Sequence, residues 1–477
     1  MGNRQSTPLQ TCLGAVCSGR AGCVSYPSDP LFQLSWVKPY NLAIPVTPVA
    51  VIRPSSADEV AGAVKCAVQS GVHVQAKSGG HSYANFGLGG QDGGLMIDLA
   101  SLKDFSMDWQ TWQATFGAGY RLGELDKQLH SNGGRAMAHG TCPGVGIGGH
   151  ATIGGLGPMS RMWGSALDHV VEVQVVTATG DIKTASETQN ADLFWALRGA
   201  GASFGIITRF TVRTHPEPGN VVQYTYGLSF GRQTHMAPAY RAWQALAGDP
   251  GLDRRFSTLF IAQPLGALIT GTFYGTKAEY EATGIEARLP VGGELDTKLD
   301  IRVTDWLGHL AHLAEETGLL LSDLPTHFYS KSLAFRQEDL LKDDAVDALF
   351  EYMGGTDAGT LLWFVIFNSE GGAMADTPAN ATAYPHRDKL MTYQSYVIGF
   401  PSLSSETKAF AEGVHRRIQQ GAPGANTSYA GYVDPALSRE AAQRFYWGDK
   451  LPQLQQVKKA WDPKQVFRNP QSVDPAA

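Results

Sequence analysis

The 477-residue chain contains no apolar run approaching the roughly 18 residues that a membrane helix requires. That excludes a helical membrane protein and leaves a soluble globular one. It carries no block of like charges, and its net charge is −6. Nucleic acid is therefore not an expected partner, since such proteins present basic patches. There is no internal repeat and no low-complexity tract. Neither H-E-x-x-H nor paired C-x-x-C occurs, so no metal is expected. The start lacks the charged and apolar regions of a signal peptide. Met1-Gly2-Asn-Arg-Gln-Ser6 fits the myristoylation pattern, but a mature secreted chain behind an added Met gives the same start, and that reading is preferred.

Cysteine is scarce, at five residues, and unevenly placed. Cys12, Cys17 and Cys23 crowd the N-terminus, Cys66 lies in a helical pattern, and Cys142 stands alone in a glycine-dense turn. If a cofactor takes Cys142, four remain, enough for two disulfides and hence an oxidising compartment. Three connectivities are open. Asn380-Ala-Thr382 and Asn426-Thr-Ser428 are glycosylation sequons that agree with secretion. Glycine is abundant, at 55 residues, and clusters between positions 79 and 157. Such clustering suits backbone passing close to a ligand.

The length exceeds one compact core, so two domains are expected. Val49 to Pro54 reads as a strand ending at proline. Ser56-Ala-Asp-Glu59 reads as a capping box, with Val60, Ala63, Val64, Ala67 and Val68 following at helical spacing. Val72 to Ala76 alternates like a strand, which completes a β-α-β start. Leu122 to Leu129 reads as a helix, Val170 to Val176 as a half-buried strand, and Asp192 to Arg198 as an apolar helix. Pro216-Glu-Pro218-Gly219 marks a boundary. Beyond it, Val221 to Leu228, Leu259 to Gln263, Ile269 to Tyr274 and Leu361 to Asn368 read as strands. They alternate with helical stretches at Trp306 to Ala314 and Glu338 to Met353, an α+β pattern.

Two motifs mislead. Gly144-Val-Gly146-Ile-Gly-Gly149 satisfies G-x-G-x-x-G, with Asp168 at dinucleotide-site spacing, but Thr141-Cys-Pro143 stands where an apolar strand is needed. His386-Arg-Asp388 matches a kinase catalytic loop without the other kinase motifs.

Two longer strings are more specific: Ser78-Gly79-Gly80-His81-Ser82-Tyr83 and His139-Gly-Thr-Cys142-Pro-Gly-Val-Gly-Ile-Gly-Gly-His150. Together with Asn190 to Trp195, Gly199 to Gly205, Tyr432-Val-Asp-Pro435 and the Tyr446-Trp-Gly…Trp461-Asp-Pro ending, they resemble the bicovalent branch of the vanillyl-alcohol-oxidase flavoproteins. That branch holds the berberine-bridge enzymes and the fungal gluco- and chito-oligosaccharide oxidases. The resemblance implies a PCMH-type α+β fold. FAD would bind in residues 1–215. Residues 216–424 would form a substrate domain of antiparallel sheet covered by helices, and 425–477 would return to the FAD domain.

The same resemblance implies residue roles. His81 would bond the flavin 8α-methyl and Cys142 its C6. Ser78, Gly79, Gly80, Ser82 and Tyr83 would wrap the pyrophosphate or lie near the ring. Gly146, Gly148 and Gly149 would let backbone approach the flavin, and a small Val145 would leave oxygen a path to it. Tyr432 matches the catalytic tyrosine. Beside it the family commonly has a carboxylate, and Asn368 stands there instead. An amide can donate a hydrogen bond to a phenolate but cannot take its proton. Gln394 lies at a position similar to a substrate-contacting glutamine of the sugar oxidases; Tyr83 and Trp363 are expected substrate contacts on their own aromatic character, which suits stacking on a sugar face. The implied reaction is oxidation of an oligosaccharide C1 hydroxyl to a lactone, with O2 reduced to H2O2, by a secreted monomer. Ile366 and Asn368 lend weight to a rival, oxidation of a benzylic or allylic alcohol. A flavin-binding protein without turnover is the remaining alternative.

Overall fold

The computed structural model describes residues 7–229, 233–289, 296–310 and 324–477. Met1 to Ser6 and the second half of the Trp306 to Ala314 stretch lie outside them. Of that stretch, 306–310 is helical.

The chain opens as the β-α-β unit its pattern implies. Strands Ala50–Ile52 and Val74–Lys77 both pair in parallel with Leu95–Asp98, which lies between them. Helix Ala57–Gln69 connects the outer two and buries Val60, Ala63, Val64 and Ala67, whereas Val68 faces solvent. Only half of the expected capping box forms. Ser56 Oγ accepts from the Glu59 N–H at 3.2 Å, a cap worth about 1 kcal/mol. The Glu59 carboxylate turns instead to the Ser55 N–H, at 2.8 Å, and to Arg20. Disulfides Cys12–Cys66 and Cys17–Cys23 staple the leading helix Pro8–Val16 and the strand after it to this unit. Cys142 is in neither bond.

A second sheet of five strands follows, with Val170–Val176 spanning the limits its alternation implies. A seven-stranded sheet then occupies the middle of the chain. Its order is Asp296–Thr304, Val221–Ser229, Gly266–Phe273, Phe256–Gln263, Trp363–Ser369, Met391–Gly399, His327–Phe335, and every neighbouring pair is antiparallel. One face packs on helices Ala237–Ala247, Asp343–Gly355 and Ser405–Gly421 through Tyr240, Trp243, Phe350, Phe410 and Val414. The other face lines a cleft.

The misleading motifs meet in one buried ion pair. Residues 141–146 form no strand, and only the four-residue helix Ile147–His150 follows them. Asp168 receives both arms of Arg387, at 2.7 and 2.8 Å. Burial alone would raise the Asp168 pKa; the Arg387 hydrogen bonds and charge outweigh it and hold the carboxyl below its usual range. Both residues therefore have a structural partner.

The C-terminal helices Arg439–Trp447 and Leu451–Trp461 return to the first core, where Tyr446, Trp447, Leu454 and Val457 pack with Phe204 and Ile206. Lys458 and Asp462 lock this return. Both side chains are fully buried, 2.6 Å apart. The lysine also donates to the carbonyls of Ser203 and Phe467, and the carboxylate accepts from the Val466 and Phe467 N–H groups. Removing one member of such a pair strands a buried charge. Asp462→Ala is expected to cost roughly 3–5 kcal/mol, read as a large fall in the thermal and denaturant unfolding midpoints.

Candidate functional site

The cleft has a volume of about 780 Å³, within the range of small-molecule sites. One wall is built from two glycine loops that interlock. A Cβ at Gly79 would fall 2.2 Å from the Gly146 nitrogen, and one at Gly146 would fall 2.0 Å from the Gly79 nitrogen. Only glycine permits this backbone contact. Ser78 Oγ reinforces it, donating to the Ala118 carbonyl at 2.7 Å and accepting from the Gly148 N–H at 3.3 Å.

This refines the expected roles. Gly146 and Gly148 press against Ser78 and Gly79, and it is Gly149 whose Cβ position meets open space. Gly80 needs its positive φ of 82°, and a side chain there would strike the Lys77 stem at 2.6 Å. Lys77 is buried and donates to the Val37 carbonyl at 2.9 Å; burial draws its pKa down to about 8 against the pull of Asp98. Ser82 Oγ accepts from the Phe86 N–H at 3.1 Å, closing the turn.

The interlock brings His81 and Cys142 onto the same cleft, with Val145 beside them. The His81 ring lies 4.6 Å from that of Tyr40. An imidazole, a thiol outside any disulfide and open space at Gly149 together fit a planar cofactor held along this wall. His150 also lines the cleft and was not singled out from the sequence, although it closes the quoted string. Its Nε2 accepts from the Gly140 N–H at 2.8 Å. Burial, then His139 and His81, lowers its pKa to about 3, so the ring stays neutral with its proton on Nδ1.

The opposite wall comes from the seven-stranded sheet. Side chains alternate along a strand, so Phe364, Ile366 and Asn368 face the cleft while Trp363, Val365 and Phe367 face the helices. Trp363 is therefore not a substrate contact. It is 5% exposed and packs on Phe410 at 5.3 Å. Gln394 stands opposite Ile366 on the neighbouring strand and accepts from the Tyr83 hydroxyl at 3.2 Å. Tyr83 in turn stacks with Tyr432 at 6.1 Å. These two expected contacts thus support one another and the tyrosine.

Tyr432 sits in the loop after the last substrate-side helix, its ring edge-on to Tyr429 at 5.2 Å. Its carbonyl accepts from Ser332 at 3.2 Å. Burial, then the charges of Tyr429, Glu370 and Cys142, pushes its pKa far above that of an ordinary phenol. The surrounding protein therefore keeps the phenol protonated. Glu370 is a second residue the sequence reading passed over. It continues the parity of Ile366 and Asn368, is 7% exposed and lines the cleft.

Comparison with known proteins agrees with this architecture. The FAD binding domain family matches residues 48–186, and the Berberine and berberine like family matches 428–474. An FAD-linked oxidoreductase sorD of Penicillium rubens is 38% identical over 472 residues, covering 98% of this chain and 99% of its own. A xylooligosaccharide oxidase of Myceliophthora thermophila C1, solved with xylobiose, superimposes with a TM-score of 0.89 at 32% identity, over 99% of this chain and 100% of its own. A glucooligosaccharide oxidase of Acremonium strictum, described with a 6-S-cysteinyl, 8α-N1-histidyl FAD, does so at 0.88 and 31%, over 99% and 100%. With an α+β fold of PCMH type, an FAD-binding first region and this extent of likeness, the chain belongs to the berberine-bridge-type FAD-dependent oxidases, the family that includes the fungal oligosaccharide oxidases.

Proposed function

We propose that the protein oxidises a hydroxyl-bearing carbon in this cleft, with FAD bonded through His81 and Cys142 as hydride acceptor and O2 as final oxidant. The placement of both anchors and Tyr432 around one cavity carries the reading. Bound along the glycine wall, the flavin would supply the two-electron acceptor. The remaining work falls to side chains. Tyr432 accepts the substrate hydroxyl proton in its phenolate form, the minor one in these surroundings, and the Asn368 amide N–H stabilises that phenolate before the transfer. Tyr83 and Gln394 hold the Tyr432 ring in place, since Tyr83 is bonded to one and stacked on the other. The names of the relatives favour the anomeric carbon of an oligosaccharide as the donor, with a lactone as product. The two disulfides and the exposed Asn380 and Asn426 suit a secreted protein.

One observation favours a second donor. Leu259, Ile261, Leu268, Phe364, Ile366 and Ile398 form an apolar part of the substrate-side wall, beside Gln263, Asn368, Gln394 and Tyr396. A sugar asks for hydrogen-bonding side chains, whereas this surface suits an aryl or allylic alcohol. A panel of cello-, xylo- and chito-oligosaccharides beside benzyl and cinnamyl alcohols, read by peroxide release, separates the two. Lactone formation from sugars supports the first; turnover confined to the aryl and allyl alcohols replaces it with the second.

Tyr432→Phe is expected to lower kcat by about 10²–10⁴-fold, the usual worth of a positioned proton acceptor, while the flavin stays attached. Unchanged kcat would leave only a flavin-binding role. His81→Ala and Cys142→Ala should each retain flavin through acid precipitation, and the double variant should release it. Flavin loss from the wild type under acid would remove the covalent linkage from the reading.

A further inference from the structure

We propose, on the basis of the doubly bonded FAD of the oxidase reading above, that the buried Asp126–His139 pair positions Cys142, locking its loop to one helix so that the thiol meets flavin C6.

The helix is Leu122–Ser131, which carries Asp126 on its buried face with Leu122, Leu125 and Leu129. It holds the cysteine loop from both sides. Ahead of Cys142, His139 Nε2 meets Asp126 Oδ1 at 2.6 Å. Beyond Cys142, the N–H groups of Leu122 and Gly123 donate to the carbonyls of Val145, at 2.9 Å, and Pro143, at 3.0 Å. Such first-turn donors have no partner within their own helix. A Cβ at Gly123 would fall 2.8 Å from that of Pro143, so helix and loop are also in direct contact. The Val145 N–H donates to the Cys142 carbonyl at 3.2 Å, which closes the turn. Only residues 140–142 span the interval between the two attachments.

The His139 attachment is an ion pair. Its other ring nitrogen, Nδ1, meets the Gly140 carbonyl at 2.8 Å. A carbonyl and a carboxylate only accept, so both ring nitrogens donate and the ring is an imidazolium. Burial opposes that charge; the charge and hydrogen bond of Asp126, then the Gly140 carbonyl, outweigh it and raise the His139 pKa. The two side chains are 4% and 7% exposed. Removing either one leaves the other buried and unpaired. Gly140 is held on its far side too, since its N–H donates to His150 Nε2 at 2.8 Å. Neither Asp126 nor His139 lines the cleft. Both are positioning residues, acting through the backbone beside Cys142 and not on substrate or flavin.

The bond they serve balances with reactants already named. The thiol gives up its hydrogen and flavin C6 its own, and a C–S bond forms. The two electrons released reduce O2, which takes both protons and leaves as H2O2. His139 moves no proton in this step; it sets where the sulfur stands.

The test uses the full chain purified with its flavin. It reads the fraction of FAD that stays on the protein through acid precipitation, checked by intact mass. In a His81→Ala background the bond left is that of Cys142; in a Cys142→Ala background it is that of His81. A misplacement of about 1 Å slows a bond-forming step by about 10²-fold. Asp126→Ala and His139→Ala should therefore lower acid-stable FAD about tenfold or more in the His81→Ala background, and leave it unchanged in the Cys142→Ala background. Asp126→Asn fills the same space without the charge and should act in the same direction; it decides the matter where the alanine variants do not fold.

Undiminished acid-stable FAD in the His81→Ala background would overturn the positioning role and leave the double attachment intact. Equal loss in both backgrounds would mark general damage to the fold and overturn a role confined to Cys142. If His81→Ala alone already releases all its FAD, the Cys142 bond itself falls, and this inference with it.

Discussion

The site depends on two backbones touching where no side chain fits. Gly79 and Gly146 approach within van der Waals contact, and a methyl group on either would require one loop to move by more than an ångström. That contact sets the separation of the two loops, and each loop carries one reactive side chain, His81 and Cys142. A substitution here would therefore act on geometry first and chemistry second. The interlock also explains why the glycines crowd between positions 79 and 157 without forming a flexible linker. Several are occupied by close approach to neighbouring chain, and Gly149 alone in the 146–149 run faces open space.

The opposite wall obeys a different constraint, the period of two along a strand. It assigns Phe364, Ile366 and Asn368 to the cleft and Trp363, Val365 and Phe367 to the helices. Because apolar side chains line the cleft as well as the helix face, the strand reads as a nearly continuous apolar run. The sequence alone therefore identified a strand at this place but not its facing. Trp363 was assigned to the cleft on aromatic character and belongs to the helix interface. The misplacement is one residue, which on a strand means the other side of the sheet.

What was legible followed local rules. The β-α-β opening, the helix after Ser56 and the Val170–Val176 strand depend on short-range periodicity and caps, and each formed where expected. The glycine loops were legible because long strings with a cysteine and a histidine are specific. What escaped required tertiary partners. Strand His327–Phe335 carries Lys331, which looks incompatible with a buried sheet until Asp434 meets it at 2.7 Å across 103 residues. Nothing local to Glu370 signals its burial beside Thr392, whose hydroxyl donates to its carboxylate at 3.1 Å. The other half of the capping box failed for the same reason, since Arg20 competes for Glu59 from outside the helix.

The electrostatics of the cleft connect these constraints. Glu370 is buried and Tyr432 half-buried, and each is made harder to ionise by its surroundings. Two like charges in a poorly solvated space repel, so ionising one makes ionising the other costlier. A phenolate waiting for substrate would therefore be the costlier arrangement, because the charge would sit on the weaker acid. Creating charge in a low-dielectric cavity is what costs most. Asn368 lines the same cleft and, unlike an aspartate, adds no further negative charge to it.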